Sequence, residues 1–200
     1  MIFFIIITIN QEAEIENMTE YIDIVDENGE PTGDVIDRET AHSKGIRHRT
    51  AHVWLLRNNN DKVQILLQKR CQTKSSYPGC YDISSAGHIP SGVDYIQSAL
   101  RELNEELGII ASPEELIYCG DRKIVSDKVF FGREFHDRQV SRVFILWKDI
   151  NEADMCLQTE EVESVLWINF YDCIEKVRNN SIPHCIVMEE FEMIKKMIEG

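Results

Sequence analysis

The sequence predicts a single α/β domain, a mixed β-sheet with helices on both faces. Short runs in which apolar and polar residues alternate recur along the chain, and helical runs lie among them irregularly, without a regular βαβ beat. Turn signals separate these runs, and no repeat, linker or low-complexity segment divides them. A length of 200 residues, 43% hydrophobic and 28% charged, suits one domain that buries a core without disulfide or metal staples.

Residues 21–26 alternate and run into Asn28-Gly29, a hairpin signal, with a return strand at 35–36 and a short helix over 38–44. Residues 51–56 and 63–68 read as strands joined by the turn-rich Asn58-Asn59-Asn60-Asp61. Tyr77-Pro78-Gly79 breaks the chain before a strand at 81–84. A glycine-containing loop at 87–92 leads into a helix over 94–107. Strands follow near 117–121, 140–147 and 165–169, then two helices at 171–179 and 185–198. Residues 1–10 are apolar but lack a positive flank and a small-residue cleavage site, and are too short to span a bilayer. With Met18 standing just before the first clear strand, residues 1–17 are read as a mis-called start or an extension, and 18–200 as the domain. An additional edge strand is the alternative.

The net charge of −14 argues against a nucleic-acid polymer as partner, because backbone binding needs clustered Lys and Arg. If a chain this acidic binds phosphate, it is expected to do so locally, through a cation. Cys71, Cys80, Cys119, Cys156, Cys173 and Cys185 form no C-x-x-C pair, which reads as reduced thiols in a cytoplasmic protein.

The chemistry concentrates in residues 87–109, GHIPSGVDYIQSALRELNEELGI. At about 100° per residue, Ile96, Ala99, Leu100, Leu103 and Leu107 fall on one buried face. Glu102, Glu105 and Glu106 share another arc. Asp94 suits the N-cap, with Gln97 three residues on, and Gly108 suits the left-handed C-terminal cap. Like charges one turn apart repel, and anions near a helix C-terminus oppose its dipole, an arrangement Arg101 offsets only in part. On spacing alone a solvated acidic face competes with a hard-oxygen site for Mg²⁺, Mn²⁺ being an acceptable substitute.

The segment resembles the Nudix box, G-x5-E-x7-R-E-U-x-E-E-x-G-U with U bulky and aliphatic. Gly87, Arg101, Glu102, Leu103, Glu105, Glu106, Gly108 and Ile109 match in register. The resemblance implies an α/β/α sandwich with the box as loop–helix–loop, and metal ligands at Glu102, Glu105 and Glu106, often joined by a backbone carbonyl around 86–87. It also implies that Arg101 orients the carboxylates. Val93 stands where the box has its first glutamate, a residue that in the family supports the loop and the arginine. Reduced rather than abolished activity is therefore expected.

Most of residues 21–170 also resembles the branch containing type 1 isopentenyl diphosphate isomerase, through YIDIVDENGEPTG, AHSKGIRHRTAHVWLL, ILLQKRCQTKSSYPGCYDISSAGH and LQTEEVESVLWI. There, matching histidines bind a divalent metal, and His42, His48 and His88 fall on those contexts, with Asp137 and Gln139 near the further ligand positions. The isomerase's catalytic cysteine position is Ala86 here, so hydrolysis fits better than double-bond protonation. The expected activity is Mg²⁺-dependent hydrolysis of a small-molecule diphosphate, either a nucleoside diphosphate derivative or a prenyl diphosphate. Glu102, Arg101 and Glu105 would be catalytic, and Arg70 and His88 would bind substrate. No membrane partner is expected, a homodimer is allowed, and an isomerase or a non-catalytic binder stands as the alternative.

Overall fold

The computed structural model describes residues 19–200, so the reading of residues 1–17 lies outside the described residues. A hairpin opens the described chain, β1 (Tyr21–Val25) against β2 (Pro31–Asp37), turned through Gly29 at φ 85°. Helix α1 (Arg38–Lys44) follows. Asp37 caps it by accepting from Thr40 N at 2.8 Å, and Gly45 ends it in the left-handed region.

Next come β3 (His48–Asn59), β4 (Lys62–Arg70), β5 (Tyr81–Asp82) and β6 (Ser85–His88). After helix α2 (Tyr95–Leu107) run β7 (Ile117–Phe130), β8 (Arg133–Trp147) and β9 (Val162–Asn169), then α3 (Phe170–Arg178) and α4 (Met188–Glu199). The main sheet has seven strands in the order β5-β4-β3-β8-β7, with β6 added on β3 and β9 on β4. It is mixed, as expected. Strands β3 and β8 run parallel from His48↔Gln139 to Leu56↔Trp147, and the other pairs are antiparallel.

Alternation along β3 divides the core in two. Ala51, Val53 and Leu55 face one side, where they pack with Ala99, Leu103 and Leu107 of α2. Trp54 and Leu56 face the other, against Phe170, Ile174 and Val177 of α3 and Phe191 and Ile194 of α4. Helices therefore cover both faces. Glu190 ties α4 to this second face, accepting from His52 Nδ1 at 2.8 Å, Trp54 Nε1 at 2.7 Å and Arg122 Nη1 at 2.9 Å.

Three expectations need correction. Ile96, placed on the buried face of the box helix, is 39% exposed, and Tyr95 is buried instead, its ring beneath the guanidinium of Arg142 at 4.1 Å. The strands expected at 117–121 and 140–147 are two arms of one long hairpin, closed by Phe131 and Gly132 at φ 51° and 78°. The strand expected at 81–84 stops at Asp82, because Ser84 turns inward, donating to Leu66 O and accepting from Leu55 N, and the separate strand β6 that follows pairs with β3 rather than β4.

Candidate active site

Helix α2 has the caps its sequence calls for. Asp94 Oδ1 accepts from Gln97 N at 2.8 Å, and Gly108 sits at φ 67° with its N–H directed to Asn104 O and Leu103 O. The helix lies across β6, and its three box glutamates diverge in environment. Glu106 is 7% exposed and Glu105 is an exposed residue, while the Glu102 side chain retains 14% exposure. Arg101 holds two of them, with Nη2 donating to Glu102 Oε1 and Nη1 to Glu105 Oε2, both at 2.6 Å, and Nη2 also reaches His88 O at 3.4 Å. Glu106 Oε2 accepts from Ala86 N at 3.3 Å. Arg101 thus ion-pairs with two of the three box glutamates.

Burial pushes Glu102 up to about 7 and Glu106 up to about 8. Two desolvated carboxylates on one helix face, each disfavouring the other's charge, are the arrangement a hard divalent cation relieves. The donor set fits Mg²⁺ or Mn²⁺. In the cation-free chain, stability should fall with pH across the upper part of this range. A carboxyl group with a raised folded pKa binds its proton more tightly when folded, so its contribution is lost as pH rises from the unfolded value near 4.3 to the folded one. We expect the metal-free Tm to drop between pH 6.5 and 8, and to drop less in the Glu102→Gln/Glu106→Gln double variant. Surface His136, raised by its bond to Asp127, slopes the same way in both proteins, so the difference between them isolates the glutamates. Parallel Tm profiles from thermal melts would defeat this reading.

Beside the carboxylates lies a histidine cluster. The ligand atoms of His42, His48 and His88 lie within 4.8 Å of one another, and His42 Nε2 is 3.0 Å from His88 Nε2. His48 Nδ1 donates to Ile46 O at 2.8 Å, which fixes its tautomer and leaves Nε2 buried without a partner. Burial lowers His42 to about 3 and His48 to about 4, and holds His88 well below its ordinary value. Asp137 Oδ1 is 3.7 Å from His42 Nδ1, and burial raises its carboxyl to about 6. Neutral imidazoles with unpartnered nitrogens fit a borderline transition metal better than Mg²⁺.

The three box glutamates share one cleft of about 400 Å³ with His42 and His88. Arg70 lines it, with its guanidinium engaged by Asp82 at 3.1 Å and by Ser76 O at 3.0 Å. Sequence reasoning did not single out Arg38, Lys74 or Phe135 for the site. Arg38 and Lys74 line the cleft, Lys74 paired with Glu161, and Phe135 stacks on His42 with ring centroids 4.2 Å apart. No local pattern marks them, since they reach the cleft from three separate elements.

Comparison with known proteins agrees with this architecture. The NUDIX domain family model matches residues 46–184, and the chain belongs to that family. An uncharacterised Nudix hydrolase of Clostridium acetobutylicum is 35% identical over 163 residues, covering 82% of this chain and 76% of that one. Nudix hydrolase 3 of Arabidopsis thaliana is 38% identical over 163 residues, 80% of this chain but only 20% of the plant protein. Among solved structures, a Deinococcus radiodurans protein matches with a TM-score of 0.63 at 18% identity, over 86% of this chain and 98% of its own. The NUDIX domain of Shewanella oneidensis NrtR, solved with ADP-ribose, matches with a TM-score of 0.56 at 15% identity, over 75% and 87%. By family the enzyme is a Nudix hydrolase.

Proposed function

We propose that the chain hydrolyses a diphosphate linkage in a small molecule, with Mg²⁺ or Mn²⁺ held by Glu102, Glu105 and Glu106. The observation that carries this reading is the pair of largely buried carboxyl groups, Glu102 and Glu106, on one face of α2 beside the backbone of β6. A bound divalent ion supplies charge neutralisation for the phosphate oxygens and acidifies water. Glu102 accepts the proton of the attacking water, its carboxylate lining the cleft and held there by Arg101 Nη2 at 2.6 Å. Arg101 holds Glu102 and Glu105 in place, while Arg70 and His88 contact the substrate from the cleft walls. The ligand of the Shewanella domain, ADP-ribose, is a nucleoside diphosphate derivative, which supports that substrate class beside the prenyl diphosphates. Residues 18–200 form the working domain in this reading. A cytoplasmic setting is supported by free thiols at all six cysteines. Among the described residues no helix is long and apolar enough to cross a membrane.

The test is ³¹P NMR of the protein with Mg²⁺ and a mixed panel of nucleotide, nucleotide-sugar and prenyl diphosphates, with Glu105→Gln run beside it. New phosphate or monophosphate signals absent from the variant are expected, and they would name the substrate class. A rearranged prenyl product with its diphosphate intact would replace hydrolysis by isomerisation, and binding without turnover would make the chain a binder.

A further inference from the structure

Val93 leaves the box without its first glutamate, yet the loop before α2 is firmly held. The Val93 side chain packs against the α2-side core. The loop's polar groups turn instead to β1. Asp23 Oδ1 accepts from Ser91 Oγ at 2.7 Å, and Asp23 Oδ2 accepts from Gly92 N at 3.1 Å and from Arg49 Nη2 at 2.8 Å. Arg49 Nη2 also donates to Val93 O at 3.2 Å. The ion pair is well shielded, with side-chain exposures of 11% for Arg49 and 12% for Asp23. On one flank this loop meets His88, whose carbonyl accepts from Arg101, and on the other Asp94, which caps α2. Fixing residues 91–93 therefore fixes both anchors of the box.

We propose that Asp23, acting with Arg49, supplies from β1 the loop-holding carboxylate that Val93 does not, and so is a positioning residue for Glu102 and Glu106. This rests on the metal-site reading above. Outer-layer partners of metal ligands typically change metal affinity by about 10–100-fold when removed. The competing explanation is that the pair merely joins β1 to the rest of the fold.

Two measurements on Asp23→Asn separate these, with Val25→Ala, a buried position in the same strand, as the control for destabilisation. The first is amide hydrogen exchange at residues 91–93 in the metal-free protein. The second is Mn²⁺ affinity, counted as the binding that Glu102→Gln abolishes. We expect exchange at least about tenfold faster and Mn²⁺ binding roughly tenfold weaker in Asp23→Asn, with neither change in Val25→Ala. Should Asp23→Asn fail to fold, Ser91→Ala removes one bond of the clamp and is expected to weaken Mn²⁺ binding about threefold. Wild-type exchange and affinity in Asp23→Asn, or in Ser91→Ala where that variant stands in, would overturn the proposal. A wild-type chain that binds no Mn²⁺ would overturn the proposed function and the positioning role with it. Unchanged loop exchange beside normal wild-type Mn²⁺ binding would overturn the clamp alone.

Discussion

Glu102→Gln is expected to lower Mg²⁺-dependent turnover by on the order of 10³-fold, the equivalent of several kcal/mol of lost charge stabilisation. The amide keeps the volume and can still accept from Arg101, so the fold survives. What disappears is the negative charge, and with it the cation's ligand and the proton acceptor. Stability is expected to move the other way. The native carboxylate is desolvated and resists ionisation, so at pH 8 without metal the variant should melt higher than the native protein. Loss of activity together with a raised metal-free Tm distinguishes a functional carboxylate from one that supports the fold. Initial rates and thermal melts on the same preparation check both, and turnover within threefold of the native protein would remove Glu102 from the mechanism.

The second large effect is expected from a single methyl group. A Cβ built on Gly87 would fall inside the contact distance of the Glu102 carboxylate, on Oε1, Cδ and Cγ together. Gly87 has no positive φ to protect, so its need is for close approach alone. In Gly87→Ala the Glu102 side chain must move away from β6, and displacement of about 1 Å in a reacting constellation costs roughly 10²-fold in rate. We expect kcat to fall by about that factor, with Mn²⁺ affinity weakened as well. Gly33→Ala, in the exposed strand β2, serves as the contrast, since no atom lies within 4 Å of its Cβ, although its φ of 96° makes some strain unavoidable. Comparable kcat values for the two variants would sink the steric argument.

The box helix was legible because everything that specifies it is local. Asp94 and Gly108 sit one helix-length apart, and Leu103 and Leu107 repeat at the helical period, all within 15 residues. The mixed sheet and its helical cover followed from alternation in the same way. Failures came where a partner distant in the chain decided the outcome. Ile96 has the period of a core residue, but Arg49 and Arg142 approach from β3 and β8 and draw the Tyr95 ring into the interior instead. The β7–β8 hairpin ran past its predicted ends because Phe131 takes a left-handed conformation that no turn rule assigns to phenylalanine.

The site divides along the same line. That Glu102, Glu105 and Glu106 share an arc of one helix is a consequence of 3.6 residues per turn and needs no other part of the chain. That Glu102 and Glu106 are desolvated while Glu105 stays in water depends on where β6 lies against the helix, and β6 is placed by its pairing with β3. The meeting of His42, His48 and His88 likewise requires α1, β3 and β6 to converge. Periodicity and capping act over a few residues and can be read along a chain. Desolvation is set by all the atoms that surround a group, so the protonation and metal-binding capacity of these side chains emerged only when the strands had been assembled around them.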